Sequence, residues 1–399
     1  MDAPTPFTLA IPEADLAELR ERLGRTRWPD QAPGESWASG TDLGYLRGLV
    51  EHWRTGFDWR AQEAALNAFP QFTATVDGTP VHFLHVSGAG PDPMPLLLHG
   101  WPGSVFEFLD IIPRLTDPAR FGGSAQDSFT VVAPSLPGYG LSFRPGQRRF
   151  TVPDMAACLH ALMTDVLGYR RFGVQGGDWG AAVAGRLAFD HPETVAGIHL
   201  NLLNILSRDP ADFPNPSNAE QQYLRELQAW QTEEGAYGAI QGTRPQTLAY
   251  ALTDSPAGLA GWIVEKFRAW SDCGGNVETA INRDRMLGNI AFYWFTGAIG
   301  SSFWPYYGRL HGAPALPPGA RIGVPAGYAA FPREIMRPPR EAAERVLKDV
   351  RRWTDMPRGG HFAALEQPDA LAAEVAAFFG ELRQGRGQEA PLRAASGGT

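Results

Sequence analysis

The hydrophobic period of this chain changes several times along its length. Up to about residue 70 the chain reads as mostly helical: Leu16, Leu19 and Leu23 fall on one face of the stretch that opens at Pro12, and Gly24 closes it. Further helices are predicted near Leu43–Thr55 and Trp59–Ala68. Phe72–Val76 and Val81–Val86 follow, and the Asp77-Gly78 pair between them predicts a hairpin. Short unbroken apolar runs come next, at Pro95–Leu98, Phe129–Ala133, Arg171–Gln175 and Val195–Leu200. Separated by helical stretches, they predict buried strands of a mostly parallel sheet, with functional groups beyond the strand C-termini. From about 205 to 315 the rhythm breaks into aromatic, helix-like segments such as Tyr223–Glu233 and Leu259–Trp270, which read as an inserted helical lid. Strands resume at Ile322–Pro325 and Val350–Met356, and a last helix covers about Pro368–Leu382. The expected organisation is an N-terminal segment over 1–90, an α/β core over 91–204 and 316–385, a lid over 205–315 and a flexible tail over 386–399.

Composition narrows the class. At 399 residues, one α/β domain with a large insertion can bury its own core. A net charge of −8 with no compensating basic block argues against nucleic acid and anionic membrane as partners. No apolar run approaches a membrane span and no secretory leader is visible, so a cytoplasmic protein is expected. Cys158 and Cys273 make neither a metal-ligand spacing nor a disulfide framework. Of the 35 basic residues all but Lys266 and Lys348 are arginine, which together with 45 Gly and 34 Pro fits a GC-rich bacterial source.

The most informative residues are Gly176-Gly177-Asp178-Trp179-Gly180, between the run ending at Gln175 and the small-residue stretch from Ala181. Strand, sharp turn and helix with small residues around one side chain form a nucleophile elbow, but its centre is Asp rather than Ser. An Asp opening a helix can also be a cap. As a nucleophile, a carboxylate forms an ester with an electrophilic carbon, as in an epoxide or a haloalkane. His361, in Arg358-Gly359-Gly360-His361-Phe362 after the last strand, stands where this architecture puts its general base. A carboxylate needs no deprotonation, so the task of His361 is to activate water against the ester. Glu334 follows the strand at 322–325 and can orient His361, with Asp349 and Asp355 as competitors. His99-Gly100-Trp101-Pro102 follows the first long apolar strand. The backbone N–H groups of Trp101 and Trp179 are therefore the expected oxyanion hole, with His99 structural.

Over nearly its whole length the chain resembles the microsomal-type epoxide hydrolases of the α/β-hydrolase superfamily, in a soluble bacterial form. The resemblance rests on Thr26-Arg27-Trp28-Pro29, His99-Gly100-Trp101-Pro102-Gly103-Ser104, the elbow, Asp254–Leu259, Glu265-Lys266-Phe267, Phe331-Pro332-Arg333-Glu334 and Arg358–Ala364. It implies an α/β-hydrolase fold and selects Glu334 as the acid. It also implies two lid tyrosines that donate to the epoxide oxygen. Tyr237 matches one. Tyr306 matches the other, although Phe303-Trp304-Pro305 replaces the usual residues before it and leaves Tyr307 open as the donor. The microsomal members carry an N-terminal membrane anchor, and the chain begins where their soluble part does. Epoxide and water are the expected reactants, with no cofactor and no metal; a homodimer stays open. Two alternatives are a haloalkane dehalogenase using the same Asp178, with Trp179 toward the halide, and a hydrolase-fold binding protein without catalysis.

Overall fold

Nine strands form one sheet in the spatial order β1-β2-β3-β5-β4-β6-β7-β8-β9 in the computed structural model, which describes residues 3–90 and 96–388. They are β1 (Thr5–Phe7), β2 (Gln71–Val76), β3 (Thr79–Val86), β4 (Leu96–Leu98), β5 (Val131–Pro134), β6 (Phe172–Gly176), β7 (Val195–Leu200), β8 (Ile322–Ala330) and β9 (Leu347–Asp355). The β1–β2, β2–β3 and β3–β5 pairs are antiparallel. Every pair from β5 through β4 to β9 is parallel. β6 and β7 are buried at every position, as strands covered on both faces must be. The hairpin turn places both Asp77 (φ 47°) and Gly78 (φ 74°) in the left-handed region, the conformation an Asp-Gly pair favours.

The helices are α1 (Glu13–Gly24), α2 (Leu43–Thr55), α3 (Trp59–Asn67), α4 (Ile111–Thr116), α5 (Val152–Ala161), α6 (Asp178–Asp190), α7 (Asn218–Glu233), α8 (Ala236–Thr243), α9 (Pro245–Asp254), α10 (Pro256–Trp270), α11 (Arg283–Thr296), α12 (Ile299–Ser302), α13 (Trp304–His311), α14 (Arg340–Glu344), α15 (Ala363–Glu366) and α16 (Pro368–Gln388). Their starts follow local chemistry. Asp42 caps α2 by accepting from the Tyr45 N–H, and Ser217 caps α7 in a reciprocal pair with Glu220. Ser255 caps α10, and Pro256 behind it fills a position that needs no N–H. Helices α7 to α13 lie between β7 and β8 in the chain. A continuous apolar core runs from Leu16 in α1 through the sheet to Ile263 in α10 and Ile290 in α11.

Several expectations need correction. The N-terminal stretch is not all helix, because Thr5–Phe7 adds β1 to the sheet edge beside β2. β8 runs on to Ala330, β9 starts at Leu347, and β5 is shifted to Val131–Pro134. Residues 386–388 continue α16, while 389–399 of the expected tail lie outside the described residues, as does Pro95 of the first core strand. Among the described residues, no helix is long and apolar enough to cross a membrane.

Candidate active site

The turn between β6 and α6 explains its own sequence. Asp178 sits at φ 46°, a conformation costly for any side chain but glycine and typical of a site held by its surroundings. A Cβ on Gly176 would lie 2.5 Å from the Gly180 backbone, and one on Gly177 2.6 Å from Asn201 Nδ2. On Gly180 it would lie 2.1 Å from the Leu98 carbonyl oxygen. The glycines are therefore required by close packing of helix, strand and Asn201, and the tight turn thrusts Asp178 above the C-terminal edge of the sheet.

The loop after β4 reaches this carboxylate from the side. A Cβ on Gly100 would fall 2.3 Å from Asp178 Cβ, so only glycine allows the approach. The Trp101 N–H donates to Asp178 Oδ1 at 2.8 Å. Trp179 stands in the first turn of α6, where backbone N–H groups lack intrahelical partners. His99 is structural: its Nε2 accepts from the Leu136 N–H at 3.1 Å and its Nδ1 faces the Gly100 carbonyl at 3.1 Å. Burial pushes its pKa down to about 4, so the ring is neutral.

His361 and Glu334 meet as expected. His361 Nδ1 lies 2.6 Å from Glu334 Oε1, and His361 Nε2 lies 3.5 Å from Asp178 Oδ2. Burial opposes the charged imidazole, but the Glu334 and Asp178 carboxylates outweigh it and hold its pKa well above the usual value. Neither competitor makes this contact; Asp349, for example, pairs with Arg351 at 2.9 Å. The His361 loop is stitched down by Glu366, which accepts from the N–H groups of Asp272 (2.7 Å), Gly360 (3.0 Å) and Phe362 (2.9 Å).

Tyr237 on α8 and Tyr306 on α13 come together above Asp178, with ring centroids 5.7 Å apart. Trp101 stacks on Tyr237 at 5.4 Å, and Trp179 meets the edge of Tyr306 at 4.7 Å. Burial raises both phenol pKa values, so both are neutral donors. Tyr306 Oη is buried, close to Tyr237 and Trp179 yet without a hydrogen bond of normal geometry. Tyr307 turns elsewhere: it stacks on Trp304 at 4.8 Å, lies tilted against His311 at 4.3 Å and is not part of this lining.

Asp178 separates two spaces. On one side is a cavity of about 480 Å³, bounded by Tyr237, Tyr306 and Trp179 with the apolar Trp230, Leu310 and Met336. That volume is in the range of small-molecule sites. On the other is a chamber of about 20 Å³, room for one water, lined by His361, Glu107, Gln175 and Asn201. Asp178 is the one residue common to both linings. Glu107 was not legible in the sequence. Its carboxyl lies against Gly103, where a Cβ would meet Oε1, and burial pushes its pKa up to about 8. Asn204 was missed as well: its Nδ2 donates to the Asp178 carbonyl at 3.2 Å. Its only sequence signal is its place just past the end of β7.

Comparison with known proteins agrees with the fold. A profile described as "Epoxide hydrolase N terminus" matches residues 4–108, and one described as "alpha/beta hydrolase fold" matches residues 96–234. A Stigmatella aurantiaca (strain DW4/3-1) protein provisionally named an epoxide hydrolase is 45% identical over 385 residues, covering 95% of this chain and 85% of its own. Epoxide hydrolase 1 of Oryctolagus cuniculus is 36% identical over 407 residues, 94% of this chain and 88% of its own. The crystal structure of juvenile hormone epoxide hydrolase from the silkworm Bombyx mori superposes with a TM-score of 0.85 at 28% identity, covering 97% of this chain and 96% of that one.

Proposed function

We propose a mechanism from one premise: the chain belongs to the microsomal-type epoxide hydrolases, a family of the α/β-hydrolase fold. Asp178 is the nucleophile. A carboxylate lone pair attacks an epoxide carbon, the ring C–O bond breaks, and the ring oxygen takes a proton from Tyr237 or Tyr306. Their raised pKa values suit donation to an alkoxide that forms only as the ring opens. The product is an alkyl ester of Asp178.

The second half removes the ester. His361 starts charged because two carboxylates face it. Ester formation abolishes the Asp178 charge, so the imidazolium yields its proton, and a proton returns to the phenolate left by ring opening. Neutral His361, oriented by Glu334, then takes a proton from water as the water oxygen attacks the ester carbonyl. The Trp101 and Trp179 N–H groups hold the resulting oxyanion. Collapse breaks the acyl C–O bond, the departing alkoxide takes the imidazolium proton, and the vicinal diol leaves; the Asp178 carboxyl then passes its proton to His361, which restores the charged pair.

The single observation that supports this reading best is the position of Asp178 between the two spaces, phenols on one side and His361 with a water-sized chamber on the other. In the test, a single turnover in heavy-oxygen water is followed by mass analysis. The label is expected in Asp178; label entering the diol directly would sink the covalent route. The dehalogenase and binding-protein alternatives give way to the family assignment.

For substrate, we infer a mid-sized, largely apolar epoxide from the cavity volume and lining. Kinetics from styrene oxide to polycyclic epoxides separate detoxification from natural-product biosynthesis. Two free, buried cysteines suit a reducing compartment, and we place the enzyme in the cytoplasm on that ground. The division into an N-terminal segment, core and lid is taken over as expected, with residues 205–315 covering the site.

A further inference from the structure

Two arginines line the large cavity, and the mechanism uses neither. Arg309 lies one turn along α13 from Tyr306, so the two share a helix face. Arg208 comes from the segment after β7. Both turn to one neutral acceptor: Asn204 Oδ1 takes a hydrogen bond from Arg309 Nη2 at 2.7 Å and from Arg208 Nη2 at 3.3 Å. The Arg309 guanidinium also lies 4.2 Å over the Trp179 ring, which fixes its plane.

What is missing is an acid. Several other partly buried arginines pair with carboxylates, as Arg345 does with Glu220, Arg352 with Glu374 and Arg285 with Asp110. Among the described residues no carboxylate is within ion-pair distance of Arg208 or Arg309, and Asp178 is the only acid in the lining. Asp178 is already occupied by the Trp101 N–H and His361. In the cavity lining itself two cations, Arg208 and Arg309, stand against one anion, Asp178. Burial and the neighbouring Arg208 push the pKa of Arg309 down to about 9, so it is still charged at neutral pH. Two like charges facing an enclosed, mainly apolar space are costly unless something offsets them. Guanidinium groups with free N–H edges match a carboxylate.

We infer that the preferred substrate is an epoxy acid, its carboxylate held by Arg309 and Arg208 while the ring oxygen lies under Tyr237 and Tyr306. The inference rests on the epoxide hydrolase reading and adds the second functional group. The carbon chain between the two ends runs past Trp230, Leu310 and Met336. Asn204 joins the halves, since it bonds both the Asp178 carbonyl and the arginines.

The test uses matched pairs: terminal epoxy acids with two to eight methylenes, each beside its methyl ester, with styrene oxide as neutral reference. Wild-type enzyme is expected to show a KM for the best acid at least about 10-fold below that of its ester, and 0.5 M salt should erode the gap. In Arg309→Met the acid-to-ester preference in kcat/KM should fall at least about 10-fold, with Arg309→Lys keeping part of it. Arg208→Gln serves as a second variant if Arg309→Met does not fold. Equal KM for acid and ester in wild type would overturn the inference, and so would a loss in both variants that is the same for acid, ester and styrene oxide. In that case the arginines support the tyrosines and bind no anion. Turnover of styrene oxide and esters without acid preference defeats this inference alone, whereas an enzyme inactive on every epoxide defeats the underlying reading with it.

Discussion

Replacing Glu334 by glutamine tests the division of labour between the two half-reactions. Glu334 Oε1 lies 2.6 Å from His361 Nδ1, and its side chain is 0% exposed, so no solvent takes over its charge. With an effective dielectric near 20, an opposite charge at about 4 Å is worth about 4 kcal/mol. Glutamine removes that attraction, and its amide can also donate to Nδ1 and impose the wrong tautomer. A loss of about 3–4 kcal/mol is about a 10²–10³-fold slower hydrolysis of the ester. Attack on the epoxide needs no base and should slow less than about 5-fold. The variant should therefore accumulate alkylated protein. Rapid quench with intact-mass analysis reads the adduct, and peptide mapping places it on Asp178. Equal slowing of both steps with no adduct would refute the assignment of Glu334 and His361 to hydrolysis.

Other consequences follow from the same geometry. Tyr306→Phe should slow ester formation roughly 100-fold, the scale of a lost general acid, while Tyr307→Phe stays within about 2-fold of wild type; pre-steady-state adduct formation compares them. Glu107, with a pKa raised in the fold to about 8, binds its proton more tightly folded than unfolded. Stability should therefore fall as pH rises from its unfolded value near 4.5 to about 8, with a slope of at most about 1.4 kcal/mol per pH unit from this group. Glu107→Gln should flatten that slope in urea titrations, and an unchanged slope would count against the buried, protonated carboxyl. Gly180→Ala puts a Cβ 2.1 Å from the Leu98 carbonyl and should cost about 3 kcal/mol, read from the urea midpoint. An alanine tolerated without loss would contradict the close packing at the elbow.

Much of the fold was legible because its signals are local. The apolar runs at β4, β6 and β7 and the Asp-Gly hairpin are set by neighbours within a few residues. β1 was missed because three residues carry no period, and only pairing with β2 makes them a strand. β8 was read too short because Pro325 and Gly327 interrupt its apolar run, although a parallel neighbour on each side carries the strand through.

The proposed nucleophile, Asp178, stands out by its bracket of glycines, since a turn at φ 46° leaves no room for larger neighbours and the sequence records that constraint. The chain order of Asp178 and His361 was likewise written in the strands. Which acid serves His361, and which of Tyr306 and Tyr307 faces the cavity, depends on directions in space that no spacing encodes. Glu334 and Asp349 differ by which strand end curls over the sheet, and Tyr306 and Tyr307 by one step of about 100° around α13. Glu107, Asn204 and the arginine pair carry no motif at all. Their roles arise where loops from distant parts of the chain enclose Asp178 and exclude water, because enclosure, absent from an extended chain, is what turns an ordinary carboxyl or guanidinium into a group with chemistry.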